Sequence, residues 1–143
     1  MRALLAFGLM VSALGIATAD DKKDPTAGDW VIESVTRDGK ADAALKDGQR
    51  RHEAGTYTMA RATDSAKPFA TGSYTLDATK TPMTIDLKPK GGTYDGKTLL
   101  GIAKVDGDTL TIAFAEPGKD RPTKFESKEG SGVVLAVHKK KAK

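Results

Sequence analysis

The sequence predicts an all-β protein, an antiparallel barrel of about eight strands, with a two-sheet β-sandwich as the alternative. Three observations carry this expectation. Short runs rich in Val, Ile, Thr, Tyr and Phe recur at spacings near a dozen residues, the pattern of antiparallel strands. Gly, Pro or Asp marks nearly every break between them, which is turn chemistry. A single segment has helical character, which argues against alternating βαβ units. Closure into a barrel removes exposed strand edges, and eight strands enclose an interior that side chains fill or that holds one small ligand.

Residues 1–19 read as a secretory signal peptide: Arg2 is the positive n-region, Ala3 to Ile16 the apolar core, and Ala17-Thr18-Ala19 a small-x-small cleavage site. The apolar run falls short of the roughly 20 residues of a membrane-spanning helix. An exported protein, periplasmic or extracellular, is therefore expected. Cleavage would leave 124 of the 143 residues, enough for one domain with a modest core. There is no cysteine, so neither a lipid anchor at the cleavage site, nor a disulfide, nor thiolate chemistry is expected.

Residues 20–27 are polar and read as a disordered lead-in, and 28–139 as the single barrel domain. WVIESVTR, from Trp30, is the first strand and ends at the Asp38-Gly39 turn. Ala41 to Gln49 is expected to form a short helix capped by Asp42. Strands follow near Gly55 to Arg61, Phe69 to Leu76, and Met83 to Leu87, the last between Pro82 and Pro89. Gly91-Gly92 and Asp95-Gly96 lead into the clearest hairpin, Lys97 to Ala115. A loop at Pro117-Gly118 and Arg121-Pro122, a short strand from Thr123 to Ser127, a turn at Gly130-Ser131-Gly132 and a last strand from Val133 to Lys139 complete the domain. Residues 140–143 are read as a basic tail.

Two registers are open for the central hairpin. A two-residue loop with Asp106-Gly107 in a type I′ turn pairs Ala103 with Leu110 and Gly101 with Ile112. A three-residue loop, Asp106 to Asp108, sets Leu100 and Ile102 beside Ile112 and Phe114. The second segregates the large apolar groups better and is the expected one, since a one-residue slip reverses every side chain.

The chain from Trp30 to Lys139 resembles an uncharacterised family of small exported domains abundant in planctomycete bacteria. The resemblance is carried by Trp30, Asp38-Gly39-Lys40, Tyr74-Thr75-Leu76, Ile85-Asp86-Leu87, Gly96 to Ile102, Gly107 to Leu110, Arg121 to Phe125 and Gly130-Ser131-Gly132. It departs at Ala103, where the family usually has an aromatic, and at Lys139, where it usually has Arg. The resemblance implies export and a β fold, without an activity. Gly28-Asp29-Trp30 is also similar to the Gly-x-Trp opening of lipocalin-type barrels. That similarity implies a Trp that closes one end of a lipocalin-like barrel beneath a cation from the last strand, here Lys139.

The net charge of +4 is concentrated. Loss of Arg2 would leave +3, and the four lysines between Lys139 and Lys143 carry +4, so the body is near −1. A nucleic-acid face needs cations spread over a surface with aromatics between them, so no nucleic-acid partner is expected. The two histidines, His52 and His138, are 86 positions apart. His52 lies in the polar run Arg50-Arg51-His52-Glu53 and reads as solvated, and His138 adjoins the lysines. Neither supports a nucleophile activated by a base or a His-based metal site. Asp106-Gly107-Asp108 is explained by turn chemistry without calcium.

Catalytic, cofactor-binding and metal residues are therefore expected to be absent, and the candidates are structural: Trp30, Lys139, Arg121 and Asp86. Asp86, between Ile85 and Leu87, is expected on the solvent face. Arg121, fixed by Pro122, is expected to clamp a carboxylate. Seven aromatics beyond the leader suffice to fill a shallow barrel. The expected protein is a monomeric, non-enzymatic interaction or structural module of the envelope or exterior, with an unknown protein or envelope component as partner. The alternative is a binder of a small apolar ligand inside the barrel.

Overall fold

The computed structural model describes residues 24–142; the expected signal peptide lies outside the described residues. Among the described residues nine strands form one sheet: β1 (Gly28–Arg37), β2 (Lys40–Ala41), β3 (Gln49–Glu53), β4 (Thr56–Ala60), β5 (Ala70–Asp77), β6 (Met83–Lys90), β7 (Leu99–Asp106), β8 (Thr109–Ala115) and β9 (Val133–Lys140). Apart from the two-residue β2, each strand pairs with the next, and β9 pairs with β1. The result is a closed, eight-stranded antiparallel barrel with β2 as an extra strand, and closure excludes the two-sheet sandwich.

Local chemistry accounts for most of the turns. Asp38-Gly39 (φ +53° and +84°) and Ala54-Gly55 (φ +52° and +81°) each carry the two positive φ angles of a type I′ turn, whose twist matches that of the flanking strands. The β7–β8 hairpin follows neither expected register. Asp106 pairs with Thr109, Ala103 with Ile112 and Gly101 with Phe114, so the loop is Gly107-Asp108. Gly107 alone takes positive φ there (+62°), as the first central residue of a type II′ turn does. The better segregation was not required because these strands are buried on both faces: Ile102 and Ala113 are as buried as Ala103 and Ile112.

The outer wall at β7 and β8 is crossed by the connection 116–132. Its expected strand, Thr123 to Ser127, is irregular. Arg121 ties it down, with Nη1 donating to Gly101 O at 2.8 Å and Nη2 meeting Asp86 Oδ1 at 2.8 Å. Lys104 Nζ lies 4.6 Å from the centroid of Phe125.

The expected helix from Ala41 to Gln49 is also corrected. Asp42 caps a single 3-10 turn, Ala43–Leu45, accepting from Ala44 N. Only Leu45 is buried there, too little to sustain a helix, and Gly48 then passes so close to β4 that a Cβ would lie 2.6 Å from Ala60 O. Gln49 already belongs to β3. The strand expected to end at Leu87 continues through Pro89. Pairing of β6 with β7 stops at Leu87, so the missing Pro89 N–H interrupts no ladder on that side.

The inward residues form two apolar clusters. One centres on Trp30, Tyr57, Tyr74, Ile85, Leu87 and Leu110, the other on Ile32, Val35, Leu45, Val134 and Ala136. β1 serves both because a bulge leaves Glu33 without a partner between Ile32↔His138 and Ser34↔Val137. The bulge shifts the inward positions from Trp30 and Ile32 to Val35.

Candidate functional site

The two ends of the barrel differ. At one end Trp30 is 1% exposed and its Nε1 donates to Thr26 O at 2.8 Å. Residues 24–27, within the lead-in expected to be disordered, form a turn here. Thr26 is wholly buried, and its N–H donates to Asp24 Oδ1 at 2.9 Å. The cation over the Trp30 ring is Lys140 Nζ, 5.6 Å from the centroid, whereas Lys139 Nζ donates to Thr109 Oγ1. The reason is parity: inward positions of β9 are Val134, Ala136 and His138, and Lys140 continues that face while Lys139 points away. Lys140 and Lys141 are also tied to the barrel, their N–H groups donating to Asp108 O and Asp29 O, so the basic tail starts later than expected.

Arg50 and His52 depart furthest from their expected positions. Both are 2% exposed. In Gln49–Glu53 the strand alternation turns these two residues inward and leaves Arg51 and Glu53 outside. Arg50 Nε donates to His52 Nε2 at 2.8 Å, so the proton of the neutral ring sits on Nδ1, which donates to Thr26 Oγ1 at 2.9 Å. Thr26 Oγ1 donates to Asp24 Oδ1, and Tyr74 OH donates to Asp24 Oδ2. A polar chain thus runs through the closed end from Asp24 to the guanidinium.

Burial sets the protonation of this chain. It pushes His52 down to about 2, with help from the Arg50 charge, and His138 down to about 3 for the same two reasons. His138 is fully buried and its Nδ1 donates to Leu110 O at 3.0 Å. Burial also raises Tyr74 above its ordinary value, reinforced by its bond to Asp24. Arg50 is lowered to about 10 by desolvation and so remains a cation at neutral pH.

At the other end the interior is not filled. A cavity of about 440 Å³ opens there. Tyr57, Leu87, Leu99, Phe114 and Ala136 are among its apolar walls, and Arg50 contributes a cation. Phe69, 39% exposed, and Tyr94 also line it. Gly72 shapes one wall: a Cβ there would sit 2.8 Å from Tyr57 Cε1, so the strand must be bare for the Tyr57 ring to lie against it. That ring in turn lies 5.1 Å from Arg50 Cζ.

Of the sequence-derived candidates, Trp30 lies at the closed end, and Asp86 and Arg121 meet on the outer wall, about a third exposed. None of these three lines the cavity, nor does Lys139. The residues that sequence reasoning missed are Arg50, His52, Thr26 and Asp24. The available signal was the shared parity of Arg50 and His52 in a short run bounded by turns. Among the described residues, no three His, Cys, Asp or Glu side chains gather as a metal site, and no helix is long and apolar enough to cross a membrane. No family model matches the chain, and comparison with curated proteins gives no significant match.

Proposed function

We propose that this chain is an exported, non-catalytic barrel that binds a small, largely apolar molecule in its interior. The observation that carries the reading is the cavity of about 440 Å³, within the usual range for small-molecule sites, which are concave, mostly apolar and sparsely polar. A module that acts only through its outer surface has no use for such a space, and side-chain packing normally leaves few voids larger than a water molecule. Export rests on the apolar stretch from Ala3 to Ile16 and the Ala17-Thr18-Ala19 site.

The test is titration of the folded protein with a neutral, environment-sensitive apolar dye, alongside Ala136→Phe. Ala136 lines the cavity and faces inward, so a phenyl group there occupies the space. Saturable one-to-one binding that Ala136→Phe removes without loss of fold supports the reading. Absence of binding by folded wild-type protein, to this dye and to apolar ligands of varied head group, overturns it.

A further inference from the structure

We infer that the cavity selects an amphipathic anion, a carboxylate on an apolar tail, with the carboxylate paired to the Arg50 guanidinium and the tail lying along Tyr57, Leu99 and Phe114. This rests on the cavity being a ligand site, and it names the chemistry of the ligand.

The argument begins with the hydrogen-bonding of Arg50. A guanidinium carries five N–H donors in a fixed fork. Nε is used by His52, and Nη1 donates to Met59 Sδ at 3.4 Å, a weak acceptor. Nη2 is buried with no hydrogen-bond partner. A cation taken out of water is costly unless it is paired and hydrogen-bonded, yet among the described residues no carboxylate forms an ion pair with Arg50. The negative charge of Asp24 reaches it only at Nε, through Thr26 and His52. That chain fixes the plane of the guanidinium from behind and leaves the Nη2 edge uncommitted.

The rest of the wall agrees in sign. Its other ionisable side chains, tyrosines apart, are Arg37 and Lys90, and no Asp or Glu among the described residues lines it. Arg37 leans on Asp42 at 3.7 Å. His52 is neutral and accepts through Nε2, so it does not compete for an anion. An anionic head group would therefore meet a guanidinium that has no carboxylate partner and a field of one sign, while its tail meets apolar walls. A neutral alcohol offers Nη2 an acceptor but leaves the buried charge uncompensated. Charge-assisted bonds to a guanidinium are the stronger kind.

The experiment compares decanoate, decanol and methyl decanoate by calorimetric titration at neutral pH, on the wild type and on Arg50→Met and Arg50→Lys. Decanoate should bind one-to-one and about tenfold or more tighter than decanol or the ester. Arg50→Met should bring acid and alcohol within about twofold of each other while still binding both, since an unpaired buried cation replaced by an apolar chain is not expected to unfold the barrel. Arg50→Lys should keep part of the preference, as a point charge without the fork. Equal binding of acid and alcohol by wild type overturns the inference and leaves the cavity reading standing. A preference that survives in Arg50→Met also overturns it. Failure of folded wild type to bind any of the three probes overturns the inference, and overturns the cavity reading too only if the neutral dye also fails to bind.

Discussion

Lys140 faces Trp30 across the seam that closes the barrel: the two are register partners between β9 and β1, and the Lys140 ammonium lies over the indole face at 5.6 Å. With the N–H groups of Lys140 and Lys141 bonded to Asp108 O at 2.7 Å and Asp29 O at 3.0 Å, this end of the chain belongs to the sheet. Deleting Lys140 to Lys143 should therefore cost about 1–2 kcal/mol, from two backbone bonds and one cation–π contact. Deleting only Ala142 and Lys143 should cost nothing measurable. Urea unfolding of the two truncations makes the comparison, and equal stabilities would disprove it.

Stability should fall as the medium is acidified from pH 7. His52 and His138 have folded-state values of about 2 and about 3, below the ordinary 6.5, so between those values the unfolded chain binds more protons than the native one. Their contribution is complete above about pH 6.5 and is lost as pH falls towards 3, at up to about 1.4 kcal/mol per pH unit for each imidazole. Arg50 is the cation facing both, His138 also acts on His52, and Tyr57 and Tyr74 are the other titratable groups beside His52. Chemical denaturation at pH 7, 6 and 5 should give this slope, and His138→Gln should reduce it by about half. A flat profile in the wild type would contradict the burial argument.

Gly72→Ala should destabilise the fold by about 1–3 kcal/mol, the usual cost of overpacking. The added methyl would lie 2.5 Å from Lys88 O and 2.8 Å from the Tyr57 ring. Lys88 O is backbone and cannot swing aside, so Tyr57 and β5 must both shift. Tyr57 leans on Arg50, so ligand affinity should fall in parallel. A variant with unchanged midpoint would show that β5 yields freely.

Arg121→Ala should loosen the connection 116–132 more than it lowers global stability. The ion pair with Asp86 is about a third exposed and is screened accordingly, so the total effect should be about 1 kcal/mol, most of it from the bond to Gly101 O. Hydrogen exchange should accelerate at 116–132 and over the outer face of β7, leaving β3 to β5 unchanged. Uniform acceleration would mean that the clamp supports the barrel itself.

The architecture could be read from sequence because its signals are local. Val133 to Lys139 alternates, Asp38-Gly39 has the residues a type I′ turn needs, and both are found in place. The site could not, and Arg50 and His52 show why. In a half-buried strand polar residues ordinarily mark the wet face, so a run with polar residues at every position has no readable inside. Only the partners on other strands, Trp30 opposite Arg50 and Tyr57 opposite His52, reveal which parity turns inward. Thr123 to Ser127 is the converse case. Its residues favour extended backbone, but both edges of the neighbouring strands are already paired within the closed sheet. Sequence does not distinguish Lys139 from Lys140 as the cation over Trp30, because only register separates adjacent lysines.

The seam between β1 and β9 also dictates the order of events in folding. Val134 meets Arg37, and Lys140 meets Trp30, so the contacts that close the sheet join segments separated by almost all of the described chain. Every other pairing, from β3 to β9, joins neighbours in sequence and can form as a meander. Until β9 arrives, β1 and β8 each present an unsatisfied edge, the kind of edge that recruits a second chain. Closure of so long a loop is entropically slow, which places the refolding of this barrel towards the slow end for its size and makes its unclosed meander the species most open to self-association.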